Sequence, residues 1–127
     1  MSILADTSIW IEYFRGTGHA DALDLLIEEN LIVTNQLILA ELVPPLLVQN
    51  QKNLVALMKE IKQLPMKIDW DEIIQMQTTC LKNGINGIGI PDLIIAQNAI
   101  QGDIRLLSSD KHFSFIARHT SLVLYEE

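Results

Sequence analysis

Residues 3–10 read Ile3-Leu4-Ala5-Asp6-Thr7-Ser8-Ile9-Trp10, and the order of apolar and polar side chains there decides the fold class. Ile3, Leu4 and Ala5 form an apolar run suited to a short buried strand, and Ile9 to Phe14 fits a helix. Between them, Thr7 or Ser8 is expected near the helix N-cap, where a small hydroxyl satisfies a free backbone N–H. A strand that runs directly into a helix is the opening unit of an α/β domain. The same stretch sets a carboxylate, Asp6, between two apolar segments, where an ionised acid without partners is costly. Asp6 is therefore expected either to act as a cap or to be neutralised by something positive.

The pattern repeats along the chain. From His19 to Asn30 the apolar positions Ala22, Leu23, Leu26 and Ile27 fall at helical spacing, and Leu31 to Thr34 is a compact strand candidate. Asn35 to Leu42 leads into a helix that Pro44 and Pro45 must interrupt or restart. Asn53 to Leu64 reads as a helix ended by Pro65, with Met66 to Ile68 as a short strand and Asp69 to Lys82 as a capped helix. Pro91 occupies a first helical position ahead of the apolar stretch Leu93 to Ile100. Ile104 to Leu107 and Leu122 to Tyr125 are the last strands, separated by a short helix over Lys111 to Arg118. Alternation of this kind predicts one α/β domain over residues 1–127 with a mainly parallel central sheet. Ligands of such sheets bind beyond the carboxyl ends of the strands.

Composition narrows the function. Nearly half of the 127 residues are hydrophobic, enough for a real core. A net charge of −7 argues against a simple nucleic-acid clamp, which needs a basic surface. The acids are unevenly placed: residues 1–51 contribute −6 and residues 52–127 only −1. No apolar run is long enough to span a bilayer, the N-terminus lacks the basic start of a signal peptide, and the single Cys80 cannot form an internal disulfide. These features set the expectation of a cytoplasmic protein. Cys80 reads as a structural thiol within a helix.

Four carboxylates stand in apolar or turn surroundings. Asp6 ends the first strand, Glu41 is the only charge between Leu31 and Gln51, Asp92 follows Gly89-Ile90-Pro91, and Asp110 follows Leu106-Leu107-Ser108-Ser109. Taken singly, Asp6, Asp92 and Asp110 have plain roles as turn or capping residues. Glu41 has none. It lies in Leu37-Ile38-Leu39-Ala40-Glu41-Leu42-Val43, a helix apolar nearly all round and so expected to be buried, with no Lys or Arg three or four residues away. The economical solution is that Asp6, Glu41, Asp92 and Asp110 converge on a hard divalent cation, Mg²⁺ or Mn²⁺, since crowded carboxylates would otherwise protonate.

The stretches LADTSIWIEYFRG, LILAELVPPLL, GIGIPDLIIAQNAI and LLSSDKHF, in this order over essentially the whole chain, resemble the signature segments of the PIN-domain ribonucleases, particularly the VapC-like toxins of type II toxin–antitoxin pairs. The resemblance implies a three-layer α/β/α PIN-like domain. It makes Asp6 and Asp92 the principal metal ligands, Glu41 the third acid and Asp110 the more variable fourth. Ser8 matches a small hydroxyl residue beside the first acid, and Ser109 stands where a hydroxyl supports the fourth. The chain departs from related toxins in having Lys82 as the base nearest Asp92 where an arginine is common, and Gln97 in place of a small residue, which bears on helix packing. The activity implied is Mg²⁺-dependent hydrolysis of RNA phosphodiesters by a metal-activated water, with no side-chain nucleophile. The partners implied are an RNA substrate, a second copy of the chain and a cognate antitoxin whose basic tail enters the acidic cleft.

Two other readings compete. An RNA-processing nuclease outside any toxin–antitoxin pair would share the site. A receiver-type signalling module would share the fold class, but it needs paired acids after the first strand and an acceptor Asp after a middle strand, where this chain has Ala5-Asp6-Thr7 and Asn35. The histidines read as surface or partly buried residues outside the site, and Trp10, Tyr13 and Phe14 as core or dimer-contact residues.

Overall fold

The computed structural model describes residues 1–126. It is an α/β fold of four strands and seven helices among those residues: β1 (Ile3–Ala5), α1 (Thr7–Arg15), α2 (Ala20–Glu28), β2 (Ile32–Thr34), α3 (Gln36–Val48), α4 (Lys52–Glu60), β3 (Lys62–Gln63), α5 (Trp70–Lys82), α6 (Ile90–Gln101), β4 (Arg105–Leu107) and α7 (His112–His119). The sheet order is β3-β2-β1-β4 and every pairing is parallel. β1 and β2 are buried along their whole length, as expected for apolar strands covered on both faces.

The core gathers Ile3, Leu4, Ile9, Trp10, Leu93 and Leu106, all fully buried. Trp10 packs edge-on against Tyr13 with ring centroids 5.8 Å apart, and Tyr13 donates a 2.6 Å hydrogen bond to Asp24 that ties α1 to α2. Cys80 is buried on α5, and burial pushes its thiol up, as fits a structural role. α6 buries every residue from Leu93 to Ala99. Gln97, expected to matter for packing, clasps the start of α5: its amide bonds the backbone N–H and carbonyl of Asp69 and the side chain of Glu72.

Several expectations are corrected. The helix ending at Pro65 stops instead at Glu60, and the strand expected at Met66–Ile68 forms at Lys62–Gln63. The pairing continues only to Leu64, whose N–H bonds Thr34, because Pro65 has no N–H to extend the ladder. Lys62 and Gln63 are exposed edge residues and carry no apolar signal. At the other edge, Leu122 to Tyr125 contributes one bridge, Leu106 to Leu124, and not a full strand. α3 runs unbroken through Pro44 and Pro45. The N–H groups these prolines lack would have bonded the carbonyls of Ala40 and Glu41, and both residues are exposed, so water can take their place.

Candidate active site

The strand ends bring the acids together. Asp6 follows β1 directly and its N–H bonds Leu107 at the end of β4, so both strands deliver their next residues to one edge of the sheet. Asp6 is itself the N-cap of α1, the place expected for Thr7 or Ser8: Oδ1 accepts from the Ile9 N–H at 3.2 Å. Oδ1 also accepts from Ser8 and Oδ2 from Ser108, each at 2.6 Å. Three of the roughly four lone-pair positions of the carboxylate are thus used. Burial pushes the Asp6 carboxyl up, opposed by these hydroxyl and backbone donors, with nearby Asp110 adding to the rise.

Asp92 lies in the first turn of α6, half-buried. Burial pushes its carboxyl up, Asp110, Asp6 and Glu41 push it further, and His112 pulls it down. Asp6, Glu41 and Asp110 thus each act electrostatically on Asp92, but among the described residues the group with ligand atoms at metal-binding distance of one another is Asp92, Asp110 and His112, without Asp6 or Glu41. Asp110 does cap: its Oδ1 accepts from the His112 N–H at 2.9 Å at the start of α7. It also turns toward Asp92, and one ligand atom from each of Asp92, Asp110 and His112 lies within 4.8 Å of the others.

Glu41 reaches the group differently from the sequence argument. It is exposed, because α3 buries only Ile38, Leu42 and Leu46 and leaves its other side open. A charge there costs little, so burial gives it no need of a partner. Thr7 nonetheless holds it, donating to Oε1 at 2.7 Å across 34 residues.

The serines also differ from expectation. Ser8 does support Asp6, but the Ser109 hydroxyl bonds Glu12 and Ser8, not Asp110. Ser108 fills the role expected of Ser109: it donates to Asp6 and accepts from the Asp110 N–H at 2.9 Å. Glu12 is a further residue that the sequence reading missed. Its Oε1 accepts from the backbone N–H of His19 at 3.0 Å and lies 2.9 Å from His19 Nδ1. Gly18 lies at φ +56°, a conformation that favours glycine, and a Cβ there would push the Glu12 carboxylate aside. His112, which the sequence places outside the site, joins it, two residues after Asp110 at the start of α7.

An apolar groove of 420 Å³ opens beside Glu41, between α1, α3 and α4, with Ile11, Phe14, Leu42, Pro45, Leu46 and Leu54 on its walls. Leu47 and Val48 are exposed at the end of α3, and Trp70, Ile74 and Leu81 form an exposed stripe on α5. No helix among the described residues is long and apolar enough to cross a membrane.

Comparison with solved structures finds the same fold in VapBC2 of Rickettsia felis bound to a promoter DNA fragment (TM-score 0.76, 23% identity, 98% of each chain covered). VapBC-1 of nontypeable Haemophilus influenzae is also similar (TM-score 0.72, 20% identity, 99% of this chain and 98% of that one). So is FitAcB of Neisseria gonorrhoeae (TM-score 0.68, 19% identity, 98% and 96%). No curated protein matches the sequence. The PIN domain family model matches residues 3–119, nearly the whole chain, and the chain belongs to the PIN domain family.

Proposed function

We propose that the protein is a divalent-cation-dependent endoribonuclease and the toxin member of a type II toxin–antitoxin pair. The observation that carries the reading is the group of Asp92, Asp110 and His112 beyond the carboxyl edge of a parallel sheet, with Asp6 and Glu41 near enough to act on Asp92. A cation fits these residues: carboxylate oxygens are the donors that Mg²⁺ and Mn²⁺ prefer, and the buried His112 Nδ1 beside them has no hydrogen-bond partner. Asp6, with about one lone pair left, and Asp92 would hold the ion, with Glu41 and Asp110 completing the set. Bound there, such an ion polarises a phosphate oxygen and lowers the pKa of a water.

The chain's own residues do the positioning. Ser8 and Ser108 fix the Asp6 carboxylate, Thr7 pins Glu41, and the Asp110 carboxylate is aimed by the first turn of α7. With a net charge of −7, RNA selection falls to shape and unstacked bases. Relatives of the VapBC and FitAB type are solved as toxin–antitoxin complexes, which supports an antitoxin partner. An apolar partner segment laid in the groove beside Glu41 would bring basic side chains to the acids. A second copy of the chain would cover the α5 stripe. Both partners, like the RNA, would be met in the cytoplasm.

The test is cleavage of RNA by the purified protein. Cutting is expected with Mg²⁺ or Mn²⁺ and none with a chelator; cutting that persists after chelation contradicts the cation reading. Induced expression should also arrest growth and a co-expressed antitoxin should relieve it. Cleavage without arrest would make the protein an RNA-processing nuclease instead.

A further inference from the structure

His112 opens α7, and its ring turns back over the acids. Nδ1 lies 3.6 Å from Asp110 Oδ1 and 3.8 Å from Asp92 Oδ2. Both separations are too long for hydrogen bonds. The nitrogen is nevertheless shielded from solvent and bonded to nothing, an arrangement that costs free energy for a polar atom in either tautomer. A ring drawn between the two carboxylates as an imidazolium clamp would close on one of them at about 2.8 Å. The observed separations instead lie inside the span of one cation, whose opposite ligands stand about 4.4 Å apart at bonds of about 2.2 Å. The Asp110 side chain and the His112 backbone are already locked together by the 2.9 Å cap, so the two donors are presented as a unit.

We propose that His112 Nδ1 is a direct ligand of the cation held by Asp92 and Asp110, and that it tunes the site toward Mn²⁺ over Mg²⁺. The inference rests on the reading of the acids as a cation site. Mg²⁺ demands oxygen and gives up its water reluctantly, whereas transition ions accept imidazole readily. One nitrogen in a set of carboxylates therefore favours an ion that takes both donors.

Pulsed electron paramagnetic resonance of the Mn²⁺-loaded protein reads this directly, because a bound ring nitrogen modulates the Mn²⁺ signal. The modulation is expected in the wild type and in His119→Gln, and its loss is expected in His112→Asn and in the longer His112→Gln, which guards against one variant failing to fold. Calorimetric titration of the same variants should show Mn²⁺ affinity falling about tenfold or more, with Mg²⁺ affinity changing less than about threefold. Mn²⁺ that binds the wild type without nitrogen modulation, or with equal affinity in both His112 variants, overturns the role of His112 and leaves the acidic site standing. A wild type that binds neither ion overturns both.

Discussion

Burial and neighbouring acids hold the Asp6 and Asp92 carboxyls above their ordinary value of 3.8. An acid raised in the fold stabilises it fully below the unfolded value, and that stability is lost as pH rises through the folded value. Asp92→Asn resembles the protonated acid at every pH. In cation-free buffer it should melt at a higher temperature than the wild type at pH 7, and the gap should close as pH falls toward 3.8. Calorimetry across that range checks this, and a variant that is less stable at pH 7 contradicts it. Glu12 behaves with the opposite sign. Burial pushes it up, but hydrogen bonds from Ser109 and His19 outweigh burial, so its carboxyl lies below the ordinary 4.5. Its contribution is present at neutral pH and lost as pH falls through the folded value. Glu12→Gln should cost about 1 kcal/mol at pH 7 in urea unfolding, after discounting for its partial exposure. The four acids were legible as oddities of local context, a charge in an apolar run or at a strand end. Ser108 and Glu12 were not, because the contacts that bring them to the site, Ser108 to Asp6 and Glu12 to Ser109, span 102 and 97 residues and no short-range pattern announces them.

α3 and α6 are joined by a buried polar chain. Asn35, at the end of β2, caps α3 by accepting from the Ile38 N–H, and its amide donates to Asn98 on α6 at 2.9 Å. Asn98 in turn donates to the Pro65 carbonyl, holding the segment between β3 and α5. Asn98→Ala would leave the Asn35 amide buried without a partner, at a cost of about 1–3 kcal/mol, whereas water can reach the exposed Pro65. A thermal melt should show a drop of several degrees; an unchanged melting temperature would mean the chain carries no stability. This use of Asn35 also explains why the position suits a cap and gives a receiver-type module no support. Elements with strong periodicity or clear caps, such as β1, β2, α5 and α6, could be read directly. β3 could not, because Lys62 and Gln63 owe their strand to pairing with Val33 and Thr34 and not to their own side chains. α3 shows a related limit: its apolar sequence predicts burial nearly all round, whereas the helix keeps one side open at Glu41, Leu47 and Val48.

The molecule as a whole presents an acidic edge next to an apolar groove, and the two together suit a partner with an apolar segment and a basic end. Ile11, 39% exposed on the groove wall, is outside the acid cluster. Ile11→Asp should weaken binding of a cognate antitoxin about tenfold in calorimetry while RNA cutting stays at the wild-type rate; loss of cutting would show that the two surfaces are not separable. The parallel order β3-β2-β1-β4 is what gathers acids from residues 6 to 110 at one edge. The most direct measurement is the single-turnover rate of RNA cleavage with saturating Mn²⁺ for Asp6→Asn, Glu41→Gln, Asp92→Asn and Asp110→Asn side by side, each checked for folding by circular dichroism. Losses of about 100-fold or more for Asp6→Asn and Asp92→Asn are expected, about 2.7 kcal/mol or more in barrier, with smaller losses for the other two. A folded Asp6→Asn or Asp92→Asn protein that cuts at the wild-type rate would contradict a cation site built from these acids.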